Sequence, residues 1–247
     1  MTATGKNPMK TASVPTRRPQ PVPTGAGQAG LSFYPSYLDR AEQAALLAAL
    51  DRVFARAPLF TPRMPKSGRP FTVRMSNCGK LGWISDEGGY RYTPEHPETG
   101  RAWPPLPEAL LALWDDVADY AHPPEACLIN FYVPSAKMGL HQDRDEADFS
   151  APVVSVSLGD SCLFRVGGPK RSDPTRSFRL NSGDVVVLGG DARLAFHGVD
   201  RIYPGTSTLL TGGGRINLTM RRVTRPEPAA RDRHFGDARP APSQAKP

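Results

Sequence analysis

The chain has 247 residues, 39% of them hydrophobic, enough for one substantial core and within the size of a single β-rich domain. Its formal charge of +7 sits mostly at the ends, with +4 in residues 1–28, +2 in residues 224–247 and +1 between them. Contact with a polyanion through the tails is therefore supported, but a uniformly basic core is excluded. The wide spacing of Cys78, Cys127 and Cys162 excludes a disulfide framework and a zinc ribbon. No stretch approaches the roughly 20 apolar residues of a membrane span. A cytoplasmic monomer without a membrane partner is expected.

Residues 1–28 hold Pro8, Pro15, Pro19, Pro21 and Pro23 among small polar residues, and they cannot bury enough apolar area to offset the entropy of ordering. The same applies to residues 224–247, so one folded unit is expected at 29–223 between two disordered basic tails. The segment Asp39 to Arg56 predicts a helix: Leu46, Leu50, Val53 and Phe54 share a face, and Asp39 with Glu42 forms a capping box. A second helix follows Pro107, with Leu110, Leu113, Trp114 and Val117 as its apolar stripe. Both helices are expected to pack rather than to carry chemistry.

From Ala126 the pattern changes to short β-prone runs. They are Cys127 to Val133, Pro152 to Leu158, Cys162 to Val166, Ser177 to Leu180, Asp184 to Leu188, Arg193 to Phe196 and Arg215 to Val223, separated by turns such as Asn181-Ser182-Gly183-Asp184. The fold class predicted is mainly β with flanking helices (α+β), built on an antiparallel sandwich or jelly roll.

One of these runs lies beside a candidate metal ligand. In an extended strand His141 and Asp143 point to one face and Gln142 to the other. With His197 at the end of the run Arg193 to Phe196, they make a set of two imidazoles and one carboxylate, the donor set of non-haem Fe(II) oxygenases. Five histidines and sixteen aspartates make an H-x-D triplet weak evidence by itself. Arg215 and Arg221 add weight: six apart in one strand, they face the same interior and demand anions there, either a bound dicarboxylate or a carboxylate of the protein. Arg222 faces the other way and is expected in solvent.

The order H-Q-D-x-D, a distal A-F-H-G and R-x-N-L-T-x-R resembles the AlkB family of Fe(II)- and 2-oxoglutarate-dependent dioxygenases. The resemblance also takes in M-S-N-C-G-x-L-G-W (Met75 to Trp83), C-L-I-N-x-Y (Cys127 to Tyr132), A-P-V-V-S-V-S-L-G (Ala151 to Gly159) and N-S-G-D-V-V-V-x-G-G ending at Gly190, with a double-stranded β-helix core. It implies that His141, Asp143 and His197 ligate Fe(II), with 2-oxoglutarate in two further positions and O2 in the last. Arg215 would pair with the distal carboxylate of 2-oxoglutarate, and Asn130, Tyr132, Ser155, Asn217 and Arg221 would line the co-substrate pocket.

The substrate implied by the resemblance is N-alkylated DNA, single- or double-stranded, with RNA as a further candidate. 1-Methyladenine and 3-methylcytosine would be restored as 2-oxoglutarate becomes succinate and CO2 and the methyl group leaves as formaldehyde. The base must flip out of its stack. Within a nucleotide-recognition segment at about 60–95, Trp83 would stack on it opposite the His141 ring, with Met75 and Tyr90 nearby. Asp145 would meet its exocyclic nitrogen, and Arg171 lies on the substrate side. Leu188 and Phe131 stand where the bacterial relative carries a Trp and an Arg, and the loop Ser85 to Gly89 differs in charge. Two alternatives stay open: an oxygenase of the same fold acting on a small molecule or protein, and a non-catalytic nucleic-acid binding module.

Overall fold

The computed structural model describes Pro21 and residues 29–227, so the two expected tails lie outside the described residues except at Pro21 and 224–227. Helix α1 (Arg40–Arg56) starts on the expected capping box, with the Asp39 and Glu42 carboxylates each accepting from the other residue's backbone N–H at 2.8 Å, worth about 1 kcal/mol for the Asp39 cap. It buries Leu46, Leu50 and Val53. The buried Gln43 breaks the apolar stripe, because its amide donates to the Leu38 carbonyl and accepts from Ser182 Oγ. Helix α2 (Glu108–Val117) has Pro107 as its N-cap and buries Leu110, Leu113, Trp114 and Val117.

Twelve strands are present among the described residues: β1 (Leu31–Tyr34), β2 (Arg74–Gly79), β3 (Gly82–Asp86), β4 (Gly89–Thr93), β5 (Ala126–Tyr132), β6 (Met138–His141), β7 (Val153–Gly159), β8 (Ser161–Val166), β9 (Arg176–Leu180), β10 (Val185–Leu188), β11 (His197–Tyr203) and β12 (Arg215–Arg221). A major sheet runs β1-β10-β7-β12-β5-β2 and a minor sheet β6-β11-β8-β9, while β3 and β4 form a hairpin. All the pairings are antiparallel.

The period of two along each strand sorts side chains into two clusters. Cys127 and Ile129 of β5, Val154, Val156 and Leu158 of β7, and Ile216, Leu218 and Met220 of β12 pack under both helices. The other face of the major sheet meets the minor sheet, where Leu128, Val153 and Val186 pack with Cys162, Phe164, Val166 and Val199. That leaves Arg215, Asn217, Thr219 and Arg221 as one row facing a cavity between the sheets. The jelly roll predicted from the strand runs is the observed architecture.

The predicted strand Arg193 to Phe196 is not one. A 3-10 turn at Gly190–Ala192 is followed by hydrogen bonds from Arg193 N to Gly190 O and from Ala195 N to Ala192 O, so the backbone is coiled there and the strand begins at His197. Hairpin β3–β4 and strands β1, β2 and β11 were not read from the sequence, and of β6 only the extended segment at His141 was. Arg222 is not in solvent either: its Nε lies 3.5 Å from Glu125 Oε2 and its Nη1 donates to Pro123 O. Glu125 also accepts from the backbone N–H groups of Val223 and Thr224, and Arg225 Nε donates to Ala147 O. The chain therefore stays fastened past Val223. No helix among the described residues is long and apolar enough to cross a membrane.

Candidate metal and co-substrate site

Strand β11 pairs with β6 so that His197 lies directly opposite His141, with ring centroids 4.5 Å apart. Each Nδ1 faces a backbone carbonyl, Gly139 O at 2.9 Å for His141 and Ala195 O at 3.0 Å for His197. A carbonyl only accepts, so Nδ1 carries a proton on both rings and Nε2 is the atom left to offer a lone pair to a metal. Asp143 lies two residues beyond the end of β6, not within a strand as predicted, yet its oxygens are 3.8 Å from both Nε2 atoms. The strap that carries it is pinned by Gln142, whose amide donates to Pro169 O and Leu194 O, and by Arg193 Nη1 on the Asp143 carbonyl.

Burial resists ionisation of Asp143, but Arg221, with His197, His141 and Arg193, holds its carboxyl below the ordinary carboxylate range. Burial first, then His141, pushes His197 down to about 4. A neutral His197 thus faces an ionised carboxylate at physiological pH. Asp143 Oδ2 is buried without a hydrogen-bond partner, and one ligand atom from each residue lies within 4.8 Å of the other two. An orphaned anionic oxygen between two imidazole lone pairs fits a divalent ion.

The two arginines of β12 answer the anion question differently. Arg221 has its charge matched by the protein, with Nη2 donating to Asp143 Oδ1 at 2.8 Å and Nε 3.5 Å from Glu146 Oε1, an ion pair without a hydrogen bond. Arg215 is 1% exposed and donates only to neutral oxygens, Ser157 Oγ at 2.7 Å and Asp160 O at 3.4 Å. Its Nε is buried and unpartnered, and among the described residues no carboxylate lies within ion-pair distance. A buried cation in this position fits an incoming carboxylate. Beside it, Asn217 Nδ2 donates to Ser155 Oγ, and the Asn130 side-chain oxygen is buried without a partner. Tyr132 sits across the β5–β12 pairing from Arg215.

Residues 30–221 match the family model of the 2OG-Fe(II) oxygenase superfamily. The alpha-ketoglutarate-dependent dioxygenase AlkB homolog of Caulobacter vibrioides (strain NA1000 / CB15N) is 56% identical over 194 residues, 78% of this chain and 88% of its own. The chain belongs to the AlkB family. The tRNA demethylase abh1 of Schizosaccharomyces pombe is 33% identical over 63% of this chain and 57% of its own. The solved structure of OsALKBH1 superposes with a TM-score of 0.67 at 32% identity, covering 78% of this chain and 96% of that one. AlkB membership makes the chain an Fe(II)- and 2-oxoglutarate-dependent dioxygenase, which sets aside the non-catalytic reading.

The AlkB-family cavity, about 430 Å³, joins the triad and the arginine row to an open mouth. Trp83 of β3 stands at this mouth. Its indole N–H donates to Asp145 Oδ2 at 2.8 Å, Tyr90 stacks against it with centroids 5.5 Å apart and planes at 18°, and Phe71 meets its edge. Tyr90 therefore backs Trp83. Met75 is buried on the inner wall, opposite Asn130. Arg171 stands over the Phe196 ring and donates to Leu140 O. Leu188 lines the cavity, whereas Phe131 packs on the helix side of the sheet.

Several residues of the site escaped the sequence reading. Ser157 and Thr219 continue the alternation of Ser155 and Asn217 and could have been found by counting in twos. Tyr92, Glu146 and Arg193 meet only through tertiary structure, as Tyr92 donates to Glu146 and Arg193 Nη2 lies 3.0 Å from Glu146 Oε2.

Proposed function

We propose that the chain oxidatively demethylates N-alkylated bases, 1-methyladenine and 3-methylcytosine, in DNA and also in RNA. The observation that carries this reading is the bond from Trp83 to Asp145. It sets an aromatic face and a carboxylate at the mouth of the cavity, two residues along the strap from Asp143. Both lesions are cations with flat faces, which such a pair favours electrostatically. The name of the Schizosaccharomyces pombe relative supports a nucleic-acid substrate.

In this reading His141, Asp143 and His197 hold Fe(II), and Arg215 takes the distal carboxylate of 2-oxoglutarate. Asn130, Tyr132, Ser155, Asn217 and Arg221 shape the wall around that co-substrate. Bound Fe(II) with 2-oxoglutarate and O2 supplies the oxidant, converting 2-oxoglutarate to succinate and CO2 and placing one oxygen atom on the N-methyl carbon. The hydroxymethyl group then leaves the base as formaldehyde. Trp83, backed by Tyr90, stacks on the flipped base with the His141 ring opposite. Asp145 accepts from its exocyclic nitrogen, while Met75 and Leu188 keep water from the methyl group and Arg171 holds the strand at the mouth. The three free buried thiols support a reducing, cytoplasmic setting, and the protein is read as a monomer.

The test is formaldehyde release from oligonucleotides carrying 1-methyladenine or 3-methylcytosine, run in parallel on single-stranded DNA, duplex DNA and RNA with Fe(II) and ascorbate. Release dependent on 2-oxoglutarate is expected. Consumption of 2-oxoglutarate with every methylated strand untouched would instead favour a small-molecule or protein substrate.

A further inference from the structure

The strap that carries Asp143 also carries Glu146, which is 5% exposed and beyond the metal triad. Arg193 Nη2 lies 3.0 Å from Glu146 Oε2, and the other guanidinium nitrogens of Arg193 donate to the Asp143 and Ala151 carbonyls. The Tyr92 hydroxyl, reaching in from β4, donates to Glu146 Oε1 and accepts from Arg221 Nη1 at 3.3 Å. Two arginines and two carboxylates thus form a buried group of balanced charge, completed by one phenol from the hairpin.

The consequence lies in how Arg221 is shared out. A guanidinium beside a carboxylate ordinarily takes both oxygens through its fork. Here Nε lies 3.5 Å from Glu146 Oε1, an ion pair without a hydrogen bond, Nη1 is taken by Tyr92, and only Nη2 reaches Asp143, at Oδ1. Oδ2 is left bare and lies 3.8 Å from His197 Nε2.

We propose that Glu146 and Tyr92 are positioning residues for the metal centre: they hold Arg221 to a single oxygen of Asp143 and so reserve the other for the ion. The inference rests on the reading that His141, Asp143 and His197 bind metal. Neither residue touches the ion. Removal of either lets Arg221 swing onto both oxygens and compete with it.

The test is calorimetric titration of Co(II) into the metal-free full chain. Partners around metal ligands commonly govern affinity by 10–100-fold, and one lost hydrogen bond is worth about threefold or more. Glu146→Gln should raise the Co(II) Kd about tenfold and Tyr92→Phe about threefold. Glu125→Gln serves as the control, since it breaks a buried carboxylate clamp away from the site. It should lower the melting temperature and leave the Co(II) Kd unchanged. If His141→Ala abolishes Co(II) binding while Tyr92→Phe and Glu146→Gln bind as the parent does, the positioning role is overturned. If Glu146→Gln does not fold, Tyr92→Phe decides alone, and an unchanged Kd overturns the proposal. If Co(II) binding survives His141→Ala, the metal assignment itself fails and takes the inference with it.

Discussion

Arg221 and Asp143 meet through one oxygen, Nη2 to Oδ1 at 2.8 Å, while the second carboxylate oxygen is buried with no hydrogen-bond partner. Removing the cation would leave Asp143 and Glu146 buried and less than fully paired. Arg221→Met should therefore lower the unfolding free energy of the metal-free protein by about 3–5 kcal/mol. Urea unfolding, with chelator present, measures it.

Arg215 predicts the opposite pattern from the same strand face. It has no acidic partner to strand, so Arg215→Met should change the stability of the metal-free protein by about 1 kcal/mol or less. The loss should fall on the co-substrate instead. Two charge-assisted hydrogen bonds to a carboxylate are worth about 3 kcal/mol, so the KM for 2-oxoglutarate should rise about a hundredfold. Steady-state kinetics together with the unfolding curve separate the two effects.

His197 makes the metal-free protein sensitive to acid. Its folded pKa, about 4, lies below the ordinary 6.5, so between those values the unfolded chain binds the extra proton. Its contribution to stability is complete above about pH 6.5 and is lost as pH falls toward 4. The loss is about 3 kcal/mol. Unfolding curves at pH 7, 5.5 and 4.5 should show this slope in the parent and not in His197→Gln.

Trp83 should be dispensable for the oxidant and indispensable for the base. Stacking on an aromatic side chain is worth about 1–3 kcal/mol per base. Trp83→Ala should raise the KM for a methylated oligonucleotide about tenfold or more, while consumption of 2-oxoglutarate without nucleic acid stays at the parent rate. Equal losses in both assays would remove Trp83 from the base pocket.

The sequence was most informative where period and chemistry coincided. Arg215, Asn217 and Arg221 share a face because strands alternate, and that count of two holds along the whole of β12. Asp39 and Glu42 announced helix α1 through a local bond. His141 and His197 were visible as ligands, but their cross-strand pairing was not, because β6 is a four-residue strand without an apolar run. The predicted strand Arg193 to Phe196 failed for a related reason. Of its residues only Phe196 is β-prone, and Arg193 is needed between the Asp143 carbonyl and Glu146, so the backbone coils to bring it there. Glu146 and Tyr92 are 54 positions apart, and no local pattern joins them.

Hairpin β3–β4 carries Trp83 and Tyr92 as directly opposed residues, and each is fastened to a neighbouring position of the strap, Asp145 and Glu146. Among the described residues its far end, Ser85 to Gly89, exchanges hydrogen bonds only with the hairpin's own residues and the Arg63 backbone, with an exposed pair between Asp86 and Arg91. The hairpin thus has a fixed root and a tip open to variation. A substitution at the tip therefore disturbs neither of the bonds that tie Trp83 and Tyr92 to the strap.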